Sequence, residues 1–158
     1  MADKIRNVFV SHVHEDDDRI GEMKDLLASK GFTMRDYSIT NDKPNQAKSE
    51  DYIKNQILAP KIKACSTMVV IITPETASSK WVQWEIEYAH KNGIPIVGVF
   101  AHGDNGCPTP QGLDDYAKSI VGWNGENIIR AIESDIPLQD EKPDGSPAPM
   151  RRIVKANC

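Results

Sequence analysis

The segment Trp81-Val82-Gln83-Trp84-Glu85 places one carboxylate among aromatic side chains at the start of a predicted amphipathic helix. At about 100° per helical residue, Glu85 falls between Trp81 and a core-facing apolar stripe. That stripe is formed by Val82, Ile86 and Ala89. Partial burial beside apolar groups disfavours a charge, so we predict a raised pKa and a carboxyl suited to binding hydroxyls or stabilising a developing cation. On the helical wheel alone, a surface glutamate at the helix boundary explains the same spacing.

Alternating strands and helices are expected to position this carboxyl. The predicted strands are the apolar runs at 5–10, 32–37, 67–72, 94–100 and 119–123. Helical periodicity is found at 16–30, 52–62, 81–91, 114–118 and 128–132, with Pro60 expected to kink or split the second helix. Ser78 or Ser79 can cap the helix that carries Glu85, and Gly31 and Gly93 are predicted helix ends. This pattern predicts a three-layer α/β, flavodoxin-like fold with a five-stranded parallel sheet of order 2-1-3-4-5.

Composition restricts the classes of function. The chain has 158 residues and a formal net charge of −4, with no basic stripe, so nucleic acid is not an expected partner. No apolar run is long enough for a membrane span, and the start of the chain leaves no room for a signal peptide, so we expect a cytoplasmic protein. The three cysteines form no Cys-x-x-Cys pair, and no metal site is expected. We predict one domain at 1–134 and a proline-rich tail at 135–158 that is mobile or packs as an extended strap.

Four segments, read in order, resemble one protein family. They are VFVSHVHED at 8–16, ACSTMVVII at 64–72, SKWVQWEI at 79–86 and GIPIVGV at 93–99. Together they are similar to TIR domains, specifically the bacterial and archaeal TIR-like group that includes ThsB of the Thoeris antiphage system. The resemblance covers roughly residues 5–134. It implies an enzyme that binds NAD as its substrate and breaks the nicotinamide–ribose bond, with Glu85 at the position of the family's catalytic glutamate.

Further site residues follow from the ends of the strands. Phe9, Ser11 and His12 lie at the exit of the first strand, and Asp36, Tyr37 and Ser38 at the exit of the second; carboxyl ends of parallel strands form the ligand edge of such sheets. The resemblance implies that Trp81 stacks on nicotinamide or its ribose and that Phe9 packs near adenine, although simple core packing explains Phe9 better than contact with the ligand. His12 replaces the aromatic residue usual in the family, and residues 39–48 lack its Gly-rich loop, which leaves the acceptor open.

The resemblance also implies partners. The product would be an ADP-ribose derivative, cyclic or conjugated, that acts as a signal in antiviral defence and is read by a separate effector protein. TIR domains also self-associate, and neighbouring subunits often complete the pocket.

Other interpretations use the same residues differently. A non-enzymatic TIR-like module that binds a nucleotide or a protein partner would retain the fold, and a nucleoside 2-deoxyribosyltransferase-like enzyme would also use a glutamate. A phosphoacceptor receiver is excluded because the third strand ends in Thr73-Pro74 without an aspartate. His12 and His14 alternate on an extended segment, but two histidines with no fixed third ligand are better explained as part of a solvated turn.

Overall fold

The five strands predicted from the sequence form one parallel sheet. The computed structural model describes residues 4–13, 17–36, 58–101, 107–134, 140–142 and 147. The strands are β1 (Lys4–Ser11), β2 (Phe32–Asp36), β3 (Thr67–Ile72), β4 (Ile96–Phe100) and β5 (Ser119–Val121). Their order is β2-β1-β3-β4-β5, and every neighbouring pair is parallel. The predicted fold class and strand order are therefore confirmed.

Helices cover both faces of this sheet. They are α1 (Asp17–Ala28), α2 (Ala59–Lys63), α3 (Lys80–Lys91), α4 (Gln111–Tyr116) and α5 (Gly125–Glu133), and a 3-10 turn at Thr76–Ser78 precedes α3. One apolar cluster joins α1 and α5 to one face, and a second joins α2, α3 and α4 to the other. Two clusters arise because successive side chains of a strand point to opposite faces of the sheet.

Several predicted element boundaries were wrong; α1, for example, ends at Ala28 and not at 30, and α5 begins at Gly125 and not at 128. The fourth strand begins at Ile96, after Pro95, and the fifth strand ends at Val121, before Gly122. The short helix α4 spans Gln111–Tyr116 and not 114–118, because Pro110 stands at its N-cap and Lys118 already lies beside β4, where its backbone N–H donates to the carbonyl of Ile96. Proline suits this start, since the first helical N–H groups have no partner within the helix.

Glycine ends two of the helices as predicted. Gly31 follows α1 with φ of 80°, and Gly93 follows α3 with φ of 72°. Both values lie in the left-handed region, which glycine adopts without steric cost. Pro60 lies in the first turn of α2, where a missing N–H is tolerated. The predicted kink in the helix at 52–62 concerns a segment that lies partly outside the described residues.

Part of the tail lies along the free edge of β5. The Ile120 backbone N–H donates to Asp140 Oδ1 at 3.0 Å, and the Glu141 N–H donates to the Ile120 carbonyl at 2.7 Å. Glu141 also accepts hydrogen bonds from the Gly122 N–H and the Asn127 side-chain amide. These described tail residues thus satisfy backbone groups that an edge strand leaves unpaired.

Among the helices of the described residues, none has both the length and the apolar character that crossing a bilayer requires.

Candidate active site

The alternation of side chains along β1 directs Ser11 toward α3. Val8 and Val10 belong to the cluster beneath α1 and α5, whereas Phe9 belongs to the cluster beneath α3. Ser11 is two residues beyond Phe9 and therefore points to the same face. It is the last residue of β1, it pairs with Val70 of β3, and it is 0% exposed. A hydroxyl thus ends an otherwise apolar row of side chains.

Helix α3 brings Glu85 to the same place. The helix is capped by Ser79, whose hydroxyl accepts the backbone N–H of Val82 at 3.2 Å, as one of the two predicted caps. Val82, Ile86 and Ala89 are fully buried and form the predicted core stripe. Glu85 is only 8% exposed, so the alternative in which it is an ordinary surface residue is wrong.

Ser11 and Glu85 form a buried polar pair within apolar surroundings. The Ser11 hydroxyl donates to Glu85 Oε1 at 2.6 Å, although the two residues are 74 positions apart in the chain. Burial raises the pKa of Glu85 to about 8, and the hydrogen bond from Ser11 opposes part of this rise. The predicted direction of the shift is confirmed. Glu85 is therefore mostly a neutral carboxylic acid at pH 7.

The second oxygen of this carboxyl has no partner in the described part of the protein. Among the described residues, Ser11 is the single hydrogen-bond partner of Glu85, and it contacts Oε1. A buried polar atom without a partner is costly in free energy, and such atoms in native proteins commonly serve a ligand or a reaction. The described residues therefore leave the hydrogen-bonding capacity of Glu85 Oε2 unused.

The pair lies where the strand order reverses. The chain passes from β1 outward to β2 and then returns to β3 on the other side of β1. In open parallel sheets, ligands bind outside the carboxyl ends of the strands at this reversal. Ser11 ends β1, and Glu85 lies in the helix that follows β3; β1 and β3 are the two strands between which the strand order reverses.

Two threonines that the sequence analysis did not select shape the turn between β3 and α3. The backbone N–H of Thr73 donates to Thr76 Oγ1 at 2.8 Å, and the Thr76 hydroxyl lies 3.1 Å from the Ile71 carbonyl. Both threonines are buried. Their spacing of three, directly after an apolar strand, is typical of a side chain that closes a turn and is the signal that identifies them.

The other predicted site residues occupy different environments. Phe9 is buried in the cluster beneath α3, as its core-packing alternative expects, and Trp81 is 36% exposed in the first turn of α3. The half-buried His12 has Nδ1 3.0 Å from the Val10 carbonyl. The backbone of Asp36 ends β2 and pairs with Val8, at the same sheet edge. Tyr37 and Ser38 lie outside the described residues.

The described residues contain no group of three or more side chains of the types that ligate metals. His14, and the Glu15 or Asp16 that could join the two histidines in a metal site, lie outside the described part of the chain.

The chain is similar to several solved structures. The CMP N-glycosidase BcmB of Clostridium botulinum is 20% identical, with 60% of this chain and 71% of that chain covered and a TM-score of 0.42. The TIR domains of the activated Roq1 resistosome, which recognises the pathogen effector XopQ, are 26% identical, with 63% of this chain and 59% of that chain covered and a TM-score of 0.41. A conserved protein from Enterococcus faecalis V583 is 16% identical, with 63% of this chain and 65% of that chain covered and a TM-score of 0.44. The aligned part thus spans less than two thirds of the second and third of these chains.

Comparison of sequences identifies the family. No curated protein sequence gives a significant match. The profile of the family described as "Thoeris protein ThsB, TIR-like domain" matches residues 9–106, which is more than half of the chain and includes both Ser11 and Glu85. The chain belongs to this family of ThsB TIR-like domains.

Proposed function

We propose that this domain cleaves the bond between nicotinamide and ribose in NAD and releases an ADP-ribose-derived signal, cyclic or conjugated, in antiviral defence. The observation that carries the proposal is the buried carboxyl of Glu85, which has Oε1 held by Ser11 and Oε2 without a partner among the described residues. Membership of the ThsB family supports it, because the matched region includes both residues.

The chemistry suits a single carboxylate. When the bond between the ribose C1′ and the nicotinamide nitrogen breaks, the electron pair leaves with nicotinamide and the ribose becomes oxocarbenium-like. A nearby carboxylate stabilises this positive charge and can accept hydrogen bonds from ribose hydroxyls. An acceptor oxygen then bonds to C1′ and loses its proton. Water gives ADP-ribose, an internal hydroxyl gives a cyclic product, and another nucleophile gives a conjugate.

The protonation state of Glu85 couples binding to pH. The carboxyl is mostly neutral at pH 7, because burial raises its pKa to about 8. The nicotinamide ring of NAD carries a positive charge, and a nearby positive charge favours the ionised carboxylate. Binding of NAD is therefore expected to release a proton from Glu85, and NAD affinity is expected to rise between pH 7 and pH 9.

The remaining parts of the proposal concern positions around this carboxyl. Trp81, exposed at the first turn of α3, offers an aromatic face for nicotinamide or its ribose. His12, Asp36, Tyr37 and Ser38 stay as proposed ligand contacts at the ends of β1 and β2. We further propose that the reaction takes place in the cytoplasm, that the domains self-associate, and that a separate effector protein reads the product.

Mass spectrometry of nucleotides after incubation with NAD tests this proposal. The wild type is expected to release nicotinamide and form one new ADP-ribose species, and Glu85→Gln is expected to form none. Glu87→Gln is the matched control, because Glu87 lies on the exposed side of the same helix and accepts a hydrogen bond from Gln83. The wild type and both variants are also compared in extracts of phage-infected cells, because an enzyme that is activated only by infection would be inactive with NAD alone. No turnover in either setting would support the non-enzymatic module instead.

A further inference from the structure

We propose that Ser11 is a positioning residue: its hydroxyl occupies Glu85 Oε1, so that Oε2 is the oxygen that binds the proton and contacts the ligand. The inference deepens the proposed function, on which it rests for the identity of that ligand. Ser11, which the sequence analysis placed among the ligand-edge residues, would then act through Glu85 and not on the substrate, because its hydroxyl donates to Glu85 Oε1 and its side chain is 0% exposed.

The hydroxyl of Ser11 has one use in the described part of the protein. Its sole hydrogen-bond partner there is Glu85 Oε1, at 2.6 Å. Because Ser11 ends β1 and pairs with Val70 of β3, its backbone is held by the central strands of the sheet. The donor is therefore fixed by the fold, and it fixes the orientation of the carboxyl group.

The hydrogen bond from Ser11 determines which oxygen of the neutral Glu85 carboxyl carries the proton. A carboxylic acid has one oxygen that bears hydrogen and one that acts as a carbonyl acceptor. Oε1 accepts the Ser11 hydrogen and is the carbonyl-like oxygen, so the proton resides on Oε2. When the acid ionises, the bond from Ser11 becomes charge-assisted and stronger, which favours the ionised form. Oε2 is then a free acceptor for a ribose hydroxyl or a cationic centre.

No described charged group duplicates this role. The elements packed against α3 are β1, β3, β4, the 3-10 turn, α2 and α4, and strands β3 and β4 contain no titratable residue. Titratable residues on or directly flanking the other elements are Lys4, Arg6, His12, Glu75, Lys61, Lys63, Asp114, Asp115 and Tyr116. Among the described residues, burial and the Ser11 hydrogen bond are the two influences on the pKa of Glu85.

The test is a carboxyl titration by NMR on protein labelled with ¹³C at glutamate Cδ, with the Glu85 signal assigned from its loss in Glu85→Gln. The wild-type signal is expected to titrate near pH 8. Ser11→Ala should move the midpoint upward by about one pH unit or more, because the ionised form loses a charge-assisted hydrogen bond. Ser11→Thr retains the hydroxyl and should restore the midpoint. Ser119→Ala removes another fully buried strand serine hydroxyl and should leave it unchanged.

Turnover provides a second readout. The midpoint of the rise of kcat/KM with pH should move upward in Ser11→Ala by the same amount as the titration, and Ser11→Thr should reverse the move. If Ser11→Ala does not fold, Ser11→Cys keeps the size with a weaker donor and should give an intermediate shift.

The two proposals fail in different ways. An unchanged Glu85 titration in folded Ser11→Ala or Ser11→Cys, or a Ser11→Thr protein that titrates like Ser11→Ala, overturns the positioning role even if NAD is turned over. Absence of NAD turnover in the wild type contradicts the proposed function, and the role of Ser11 is then decided by the titration alone.

Discussion

Two regions of this domain contain buried carboxyl groups, and they differ in how the protein satisfies them. On the edge of β5, Asp140 and Glu141 accept hydrogen bonds from two backbone N–H groups and the amide of Asn127. At the ligand edge of the sheet, Glu85 accepts one hydrogen bond, from Ser11. Asp140 is 9% exposed and Glu85 is 8% exposed, so burial alone does not distinguish the two regions.

This difference is the one expected between a structural carboxylate and the carboxyl that we propose to be catalytic. At the β5 edge the carboxylates pair backbone donors that would otherwise lack partners, which stabilises the fold. Glu85 pairs no backbone group of the described residues and keeps one oxygen without a partner, so its burial costs stability. When no group within the fold offsets the free-energy cost of burying an acid, a ligand or a reacting group is expected to interact with that acid.

The largest effect on stability that this comparison predicts depends on pH. The pKa of Glu85 is about 8 in the folded state, compared with an ordinary value of 4.5, so between these values the folded protein holds one more proton than the unfolded chain. The stabilisation that this proton supplies is complete below about pH 4.5 and is lost as pH rises through about 8. Relative to Glu85→Gln, the wild type should therefore lose on the order of a few kcal/mol of unfolding free energy over this range.

Urea unfolding of both proteins at pH 5, 7 and 9 measures this difference. Glu85→Gln can still accept the hydrogen bond from Ser11, so the two proteins should differ least at pH 5. Equal unfolding free energies of the two proteins at every pH would show that burial does not raise the pKa of Glu85.

Shortening the acid should reduce turnover. Glu85→Asp keeps the carboxyl but withdraws it by one methylene from Ser11 and from the ligand edge, and a displacement of about 1 Å can cost about 10²-fold in rate. Steady-state nicotinamide release measures the loss, with Glu87→Asp on the exposed side of the helix as the control. An aspartate variant with the wild-type kcat/KM would mean that the position of the carboxyl does not matter.

At the β5 edge, removal of a carboxylate is expected to lower stability and to leave turnover unchanged. Glu141→Ala leaves the Gly122 N–H and the Asn127 amide without their carboxylate partner, which should cost about 1 to 2 kcal/mol of unfolding free energy. Because this edge is remote from Glu85 in the sheet order, NAD turnover by the folded protein should not change. Lys142→Ala, at the exposed neighbouring position, is the control for thermal and urea unfolding. A turnover defect in folded Glu141→Ala would contradict the purely structural role that we assign to the β5-edge carboxylates.

The smallest expected effect concerns the start of the helix that carries Glu85. Ser79→Ala removes the cap of the Val82 N–H and should lower the unfolding free energy by about 1 kcal/mol. Ser78→Ala is the matched control, because its exposed hydroxyl donates to the Glu75 carbonyl and does not cap α3. Equal stability of the two variants would show that the cap contributes little.

Local signals in the sequence were sufficient for most of the fold. Apolar runs that alternate with helical periodicity predicted the sheet order, and the bounds of Thr67–Ile72 were predicted correctly because polar residues flank a continuous apolar strand. The wheel of α3 placed Glu85 at the edge of the buried stripe. Its burial follows from packing against β1 and β3, which no local pattern contains.

The parts that sequence analysis missed are non-local. The bond between Ser11 and Glu85 joins residues 74 positions apart, and it becomes predictable only when strand alternation is combined with the adjacency of β1 and β3. The pairing of Asp140 and Glu141 with β5 has no periodic signal, since the tail is proline-rich and polar. The bounds of α4 were wrong because Lys118 was counted as helical although its N–H bonds to β4.

The central claim is that Glu85 is retained for chemistry and the β5-edge carboxylates for the fold. Nicotinamide release from NAD by the wild type, Glu85→Gln and Glu141→Gln, measured side by side on folded protein, tests it most directly. We predict release by the wild type and Glu141→Gln at similar rates and none by Glu85→Gln. Release by Glu85→Gln at the wild-type rate, or equal loss in both variants, would contradict the claim.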